Sequence, residues 1–185
     1  MKLNLGCGFQ RLPGFVNVDS HAECEPDQVV DLEQFPWPWP DDSVDEIHLS
    51  HVLEHLGATP DVYLNIIREM FRVCRPNARI TVIVPHPRSD AFISDPTHVR
   101  PITISGLQMF DQSLNQEWIR QGLANTPLGI YLGVDLRIES KDLRLSEHWM
   151  DKVRAAQVDQ AELEMAIRSY YNVIDELTIV LRAHK

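Results

Sequence analysis

The stretch MKLNLGCG, residues 1–8, decides how the rest of the chain is read. A short apolar run, LNL at 3–5, enters a turn with glycines at positions 6 and 8. Glycine lets a backbone come close to a bound nucleoside, and a strand running into such a turn is what a parallel α/β sheet offers at its ligand-binding edge. The glycine pair alone is a weak signal. Its neighbours have to supply the fold.

Working outward, FVNV at 15–18 reads as a second strand ending at Asp19, followed by QVVDL at 28–32, DEIHLS at 45–50 and RITVIV at 79–84. The last is β-branched and stopped by Pro85. Between 61 and 75, Val62, Ile66, Met70 and Val73 recur at helical spacing with Leu64, Ile67 and Phe71 beside them. This predicts an amphipathic helix that Pro76-Asn77 ends. Alternating signals of this kind predict an α/β fold with a Rossmann-like, mostly parallel sheet. The connection from Gly6 to Gly14 is shorter than the dozen or so residues of a helical crossover, so the first crossover is expected to be a loop or a single turn. PWPWPDDS, within 33–43, is too rich in proline for helix or central strand. Its Trp37 and Trp39 either plug an apolar gap on the sheet or line a pocket.

The second half is less regular. A helix capped by Thr103 or Ser105 is expected to begin near 103, a strand over 130–139, a long polar helical segment over 146–171 and a closing strand over 173–183. If the two late strands pair antiparallel, 146–171 is a helical insertion at a hairpin tip. Its Trp149, Val153, Leu163, Ile167 and Tyr170 pack on the chain's own domain, form a homodimer contact, or cover the site as a lid.

With 185 residues, 44% of them hydrophobic and 24% charged, the expectation is a single domain spanning 1–185. No apolar run approaches the roughly 20 residues of a membrane helix, and the first strand starts behind only Met1 and Lys2, without a basic start and cleavage site. A cytoplasmic location is expected, with no membrane partner. The net charge of −10 disfavours a nucleic-acid partner. Cys7, Cys24 and Cys74 are odd in number and lack CxxC spacing, which argues for reduced thiols.

The chemistry gathers where the strands end. Asp19, after the second strand, can accept two hydrogen bonds from a ribose diol, and Asp31 lies at the end of the third, along the same carboxyl edge. LNLGCG, GFVNVD, VVDLEQFPWPWPDDSVDEIHLSHVLEHL and REMFRVCRPNARITVIVP, in that order, resemble the class I S-adenosylmethionine-dependent methyltransferases. They look especially like a compact branch with an LNLGCG start, a GFxNVD second strand and a SHVLEHL segment. The resemblance is dense over 2–86, thin through DPTHVRPIT at 95–103, and slight after 110.

That resemblance implies S-adenosyl-L-methionine as cofactor. Gly6 and Gly8 would form the turn beneath it, Asp19 would hold the ribose hydroxyls, and Asp31 the adenine amino group. Leu32 would give a backbone amide and an apolar face to the adenine, with Ser50 and His51 near the methionine part. Asn4 stands where the family carries an acid and can still accept a hydrogen bond. Gln10 replaces a third glycine. Methyl transfer to a hydroxyl needs a base, and His55, His98 and His86 are the candidates, all on connections after carboxyl ends of strands.

The implied function is methylation of a hydroxyl on a small molecule or glycan. Two other readings come from different residues. Asn4, Gln10 and the shortened first crossover fit a methyltransferase-like scaffold without chemistry. HVLEH, 51–55, matches the HxxEH pattern of zinc peptidases, in which a helix turns two histidines toward one metal with Glu54 as base. No metal ligand is assigned: His86, Asp90, Asp95 and His98 lie close together in sequence and read as loop polarity.

Overall fold

The computed structural model describes residues 1–185. Seven strands form one sheet: β1 (Lys2–Leu5), β2 (Val16–Asp19), β3 (Gln28–Val29), β4 (Val44–Ser50), β5 (Cys74–Pro85), β6 (Leu136–Leu145) and β7 (Ile174–Ala183). Their spatial order is β3-β2-β1-β4-β5-β7-β6. The first five run parallel, while β7 lies antiparallel to both β5 and β6. This is the Rossmann-like sheet with a C-terminal antiparallel pair that the alternating signals predict.

Register explains where the core sits. Leu3 pairs with Ile47, Ile47 with Ile80 and Ile80 with Leu181, and two residues on Leu5, Leu49, Val82 and Ile179 repeat the row. All eight are fully buried. Side chains two apart share a face, so these rows make one apolar surface. Helix α1 (Pro60–Val73) packs Tyr63, Ile66, Ile67, Met70 and Val73 into the same core. Thr59 starts the helix by accepting the Val62 amide hydrogen, with Pro60 at the first position, where a missing N–H costs nothing. The helix ends two residues earlier than 75, because Cys74 already pairs with Val44, and Pro76-Asn77 falls inside a register shift at the start of β5.

The β3–β4 connection brings the two tryptophans onto this apolar face, and both are buried in the core. Trp37 Nε1 donates to the Leu32 carbonyl at 3.0 Å and its backbone N–H donates to Glu69 Oε2 at 2.6 Å. Arg72 donates to the Trp37 and Trp39 carbonyls at 3.1 and 3.0 Å and to Glu69 at 2.7 Å. The tryptophans therefore plug the core beside α1, replacing a crossover helix with a pinned loop.

Right-handed crossovers place the connections of β1–β2 and β2–β3 opposite α1, because these strands are added in the other direction from β4–β5. Both are loops, the second with only a single turn of 3-10 helix at Ala22–Cys24. The sheet residues on that side are Asn17, Asn4, His48 and Thr81, in register across β2, β1, β4 and β5. Side-chain hydrogen bonds hold the first loop in place of helix packing. Asn4 Nδ2 donates to the Gln10 carbonyl at 2.9 Å and to Asn17 Oδ1 at 3.0 Å, and Asn17 Oδ1 also accepts the Leu12 N–H at 2.8 Å. Asp27 accepts from the Asn17 backbone and side chain at 2.8 and 2.9 Å and pairs with Arg11.

Two strand expectations are corrected, one in each half of the chain. The 130–139 stretch is not a strand throughout: α5 (Leu128–Leu132) ends at Gly133, which is left-handed at φ 67°, and β6 starts only at Leu136. Of 28–32, only Gln28 and Val29 pair as a strand, because Asp31 Oδ1 accepts the Glu33 N–H at 2.9 Å and turns the chain. The 146–171 insertion at the β6–β7 tip is two helices, α6 (Glu147–Arg154) and α7 (Gln160–Ser169), the second restarted by a capping box of Asp159 and Glu162. Short helices α2 (Asp90–Ile93), α3 (Ile104–Gln108) and α4 (Gln112–Gln121) link β5 to α5, with Thr103 capping α3. The three cysteines are unpaired, and no helix is long and apolar enough to cross a membrane.

Candidate functional site

Strand order reverses between β1 and β4, and parallel sheets bind ligands at such a switch point, beyond the carboxyl ends of the strands. Gly6 leaves β1 there and His51 leaves β4. Two clefts meet at these residues. One, of about 270 Å³, is lined by Gly6, Asp19, Asp31, Leu32, His51 and His55. The other, of about 490 Å³, is lined by Asn4, Gly6, Gly8, Gln10, Ser50 and His51 among others. The residues expected to hold a nucleoside and those expected near its other end thus lie along one groove.

Gly6 and Gly8 adopt φ 64° and 48°, backbone that favours glycine. A Cβ on Gly6 would sit 2.5 Å from Val52 Cγ2, whereas one on Gly8 would meet nothing within 4 Å. The first glycine is required by packing and the second leaves room for a ligand. Asp19 accepts the Gly8 N–H on Oδ2 at 2.8 Å and the His21 N–H on Oδ1 at 2.9 Å. Each oxygen keeps a second lone pair for a diol. Asn4 commits both amide hydrogens inside the protein, so only its Oδ1 remains for a ligand. Asp31 Oδ1 is held by Glu33, leaving Oδ2, and the Leu32 side chain forms an apolar wall.

His51 has φ 56°, and its Nε2 lies 3.0 Å from Glu176 Oε2. Only Leu53–His55 is helical, as a 3-10 turn. The HVLEH stretch therefore lacks the α-helical spacing that a zinc-peptidase motif requires, and that reading loses its geometric basis. His55 and His98 come together with ring centroids 4.5 Å apart. His86 does not join them: burial lowers its pKa, and it lines a separate cleft with Arg88, Ile104, Ile174 and Leu177. The DPTHVRP segment is strapped to the 53–55 turn because Val99 and Arg100 both donate backbone N–H groups to the Glu54 carbonyl, at 2.9 and 3.2 Å.

Two residues of this region carry more than their sequence signals suggest. Thr97, a plain loop residue in sequence, bridges His55 Nδ1 at 2.9 Å and Asp95 Oδ1 at 2.6 Å. Glu54, legible only as the middle of HVLEH, is fully buried, and burial raises its pKa. A carboxylate set among Leu53, Leu56 and two histidines was the available clue.

A mostly parallel sheet in this strand order, with a glycine turn after β1 and acids near the ends of β2 and β3 on one groove, is the Rossmann-like fold that the chain shares with solved methyltransferases. Residues 7–82 match the family model described as a methyltransferase domain. Among solved structures, the chain is similar to a SAM dependent methyltransferase from Archaeoglobus fulgidus, at 18% identity and a TM-score of 0.62, covering 98% of this chain and 85% of that one. It is also similar to one from Methanosarcina mazei, at 13% identity and TM-score 0.57, covering 99% and 92%. A third similar structure is the (4+2)-cyclase SpnF, at 16% identity and TM-score 0.53, covering 99% and 75%. A search of curated protein sequences gives no match. At these identities the likeness is one of fold, and a fold hosts more than one reaction.

Proposed function

We propose that the chain is an S-adenosylmethionine-dependent methyltransferase acting on a hydroxyl of a small molecule or glycan. The observation that carries this reading is the groove that collects Gly6, Asp19, Asp31 and Leu32 on one side of the switch point and Gly8, Asn4 and Ser50 on the other. The donor set fits the cofactor: a second lone pair on each Asp19 oxygen for the ribose, Asp31 Oδ2 and Leu32 for the adenine, and open space above Gly8. When bound, S-adenosylmethionine supplies a methyl group activated by a sulfonium.

The protein's own part is to align and to move a proton. A hydroxyl that accepted the methyl group would have to give up its proton. His55, at the groove's edge, is set to receive it. Thr97 Oγ1 gives its hydrogen to Asp95 and so accepts from His55 Nδ1, which leaves Nε2 with a free lone pair. Thr97 and Asp95 fix the ring, as the orienting groups of a general base do.

Calorimetric titration with S-adenosylhomocysteine tests the reading. Saturable one-to-one binding is expected, and absence of heat at millimolar ligand rejects it. A second reading, a cofactor-binding protein that does not transfer methyl groups, draws on Asp19, both of whose oxygens already bond backbone amides. Binding together with no methyl transfer to any of a panel of hydroxyl acceptors favours that reading.

A further inference from the structure

Glu54 is fully buried, yet neither of its carboxylate oxygens has a hydrogen-bond partner. A buried carboxylate without partners is strongly unfavourable, so its surroundings should supply a counter-charge. The nearest ionisable groups are ring nitrogens. His51 Nδ1 lies 3.6 Å and His98 Nε2 4.0 Å from Glu54 Oε1, too far for hydrogen bonds.

The tautomers sharpen the point. His98 Nδ1 contacts the Phe92 carbonyl at 2.7 Å, so Nδ1 carries a proton, and in the neutral imidazole Nε2, 3.8 Å from Asp95 Oδ2, presents a lone pair. The same logic through Thr97 leaves His55 Nε2 unprotonated. Two histidines anchored through Nδ1 thus surround a bare carboxylate, and one potential ligand atom from each of Glu54, His55 and His98 lies within 4.8 Å of the others. Metal-binding histidines are characteristically held this way, the second nitrogen donating to a carbonyl or to a hydroxyl backed by a carboxylate. The cluster is also held rigidly. Phe92 stacks on the His98 ring with centroids 5.1 Å apart, and the His98 side chain is 7% exposed.

We propose that Glu54, His55 and His98 bind a divalent transition-metal cation at the edge of the groove, with its remaining coordination positions open to an acceptor oxygen. Two imidazoles and one carboxylate suit zinc, cobalt, iron or manganese better than magnesium or calcium. Bonds of about 2.0–2.2 Å bring ligand atoms to roughly 3–3.5 Å from one another, so rotamer adjustments of about 1 Å close the site. Three protein ligands with open positions are the pattern of a catalytic metal site. Metal binding stands on these residues alone. Its use, lowering the pKa of an acceptor hydroxyl, rests on the methyl-transfer reading; with the ion bound His55 is a ligand, and the hydroxyl proton passes to solvent instead.

The test is titration of the chelator-stripped full chain with cobalt(II), followed by its visible absorption, and with zinc by calorimetry. One equivalent of tight binding is expected, with bands typical of four- or five-coordinate cobalt. Glu54→Gln and His98→Ala should each weaken binding at least tenfold and shift the bands, Thr97→Val should weaken it less, and His86→Ala should leave it unchanged. Wild-type protein that binds no cobalt or zinc at millimolar metal overturns the proposal even if a variant fails to fold, and so does binding that survives Glu54→Gln and His98→Ala together. A parallel titration with S-adenosylhomocysteine keeps the two claims apart. Metal binding without cofactor binding rejects the proposed function and leaves the cation site standing, and the reverse pattern rejects the cation site.

Discussion

The Asp19 carboxylate accepts the backbone N–H of Gly8 at 2.8 Å, tying the end of β2 to the turn that leaves β1. The acid expected to hold a ribose is therefore also a strut of the glycine turn. Asp19→Ala removes both roles. Hydrogen bonds to a charged group are worth about 1.5–3 kcal/mol, so calorimetry should find S-adenosylhomocysteine bound about 10- to 100-fold more weakly. Unchanged affinity would reduce Asp19 to a turn residue.

Gly6 is fixed by conformation and by a neighbour. In Gly6→Ala the new methyl meets Val52 Cγ2 at 2.5 Å on a backbone with φ 64°, and overpacking of that kind costs about 1–3 kcal/mol. Urea unfolding should show this loss. Adding Val52→Ala relieves the contact but not the backbone strain, so the double variant should recover part of the loss. Full recovery would mean that φ at Gly6 carries no penalty.

Asp27 gives the loop network an acid dependence. Hydrogen bonds from the Asn17 backbone and side chain, then from Arg11, lower its pKa from the usual 3.8 to about 2. The unfolded chain takes up this proton first as pH falls, so the stabilisation is complete above about pH 4 and lost on descending toward pH 2. Asp27→Asn should flatten the stability–pH curve in that window. A slope identical to wild type would show that Asp27 is not what titrates there.

Trp37 separates filling from hydrogen bonding. Trp37→Ala should cost about 3–5 kcal/mol as a buried aromatic truncation. Trp37→Phe keeps most of the volume and loses the Nε1 bond to the Leu32 carbonyl, for about 1 kcal/mol more than the size change alone. Because Leu32 walls the groove, Trp37→Phe should also weaken cofactor binding while the protein stays folded at 25 °C. Thermal melts read beside binding titrations check both statements.

What was legible in the chain is what is written locally. The strand over 79–84 announces itself by β-branching and a terminal proline, and α1 by its spacing. The groove residues Gly6, Asp19 and Asp31 follow from where strands end. The strand expected over 130–139 misleads because Gly133 closes a helical turn within an alternating pattern. The Asn4–Asn17–Asp27 network leaves no local trace, since its partners meet only through pairing of β1 with β2. Glu54 was obscured by a motif that implies an α-helix where the chain makes a single 3-10 turn. His98 reaches His55 through backbone bonds from Val99 and Arg100 to Glu54, which no spacing rule encodes.

The row Asn17, Asn4, His48 and Thr81 faces the side from which the crossover helices are missing. Had those positions held valines, as the opposite face does in kind, removing the helices would have left an adhesive slab, open to pairing with any other unfolded or partly folded chain. Instead Asn4 and Asn17, both buried, spend their amides on the loop that covers them, while His48 and Thr81 leave a half-buried polar strip beside it. The short connections and the polar row therefore depend on each other: valines beneath these loops would both remove their anchors and lay apolar surface open.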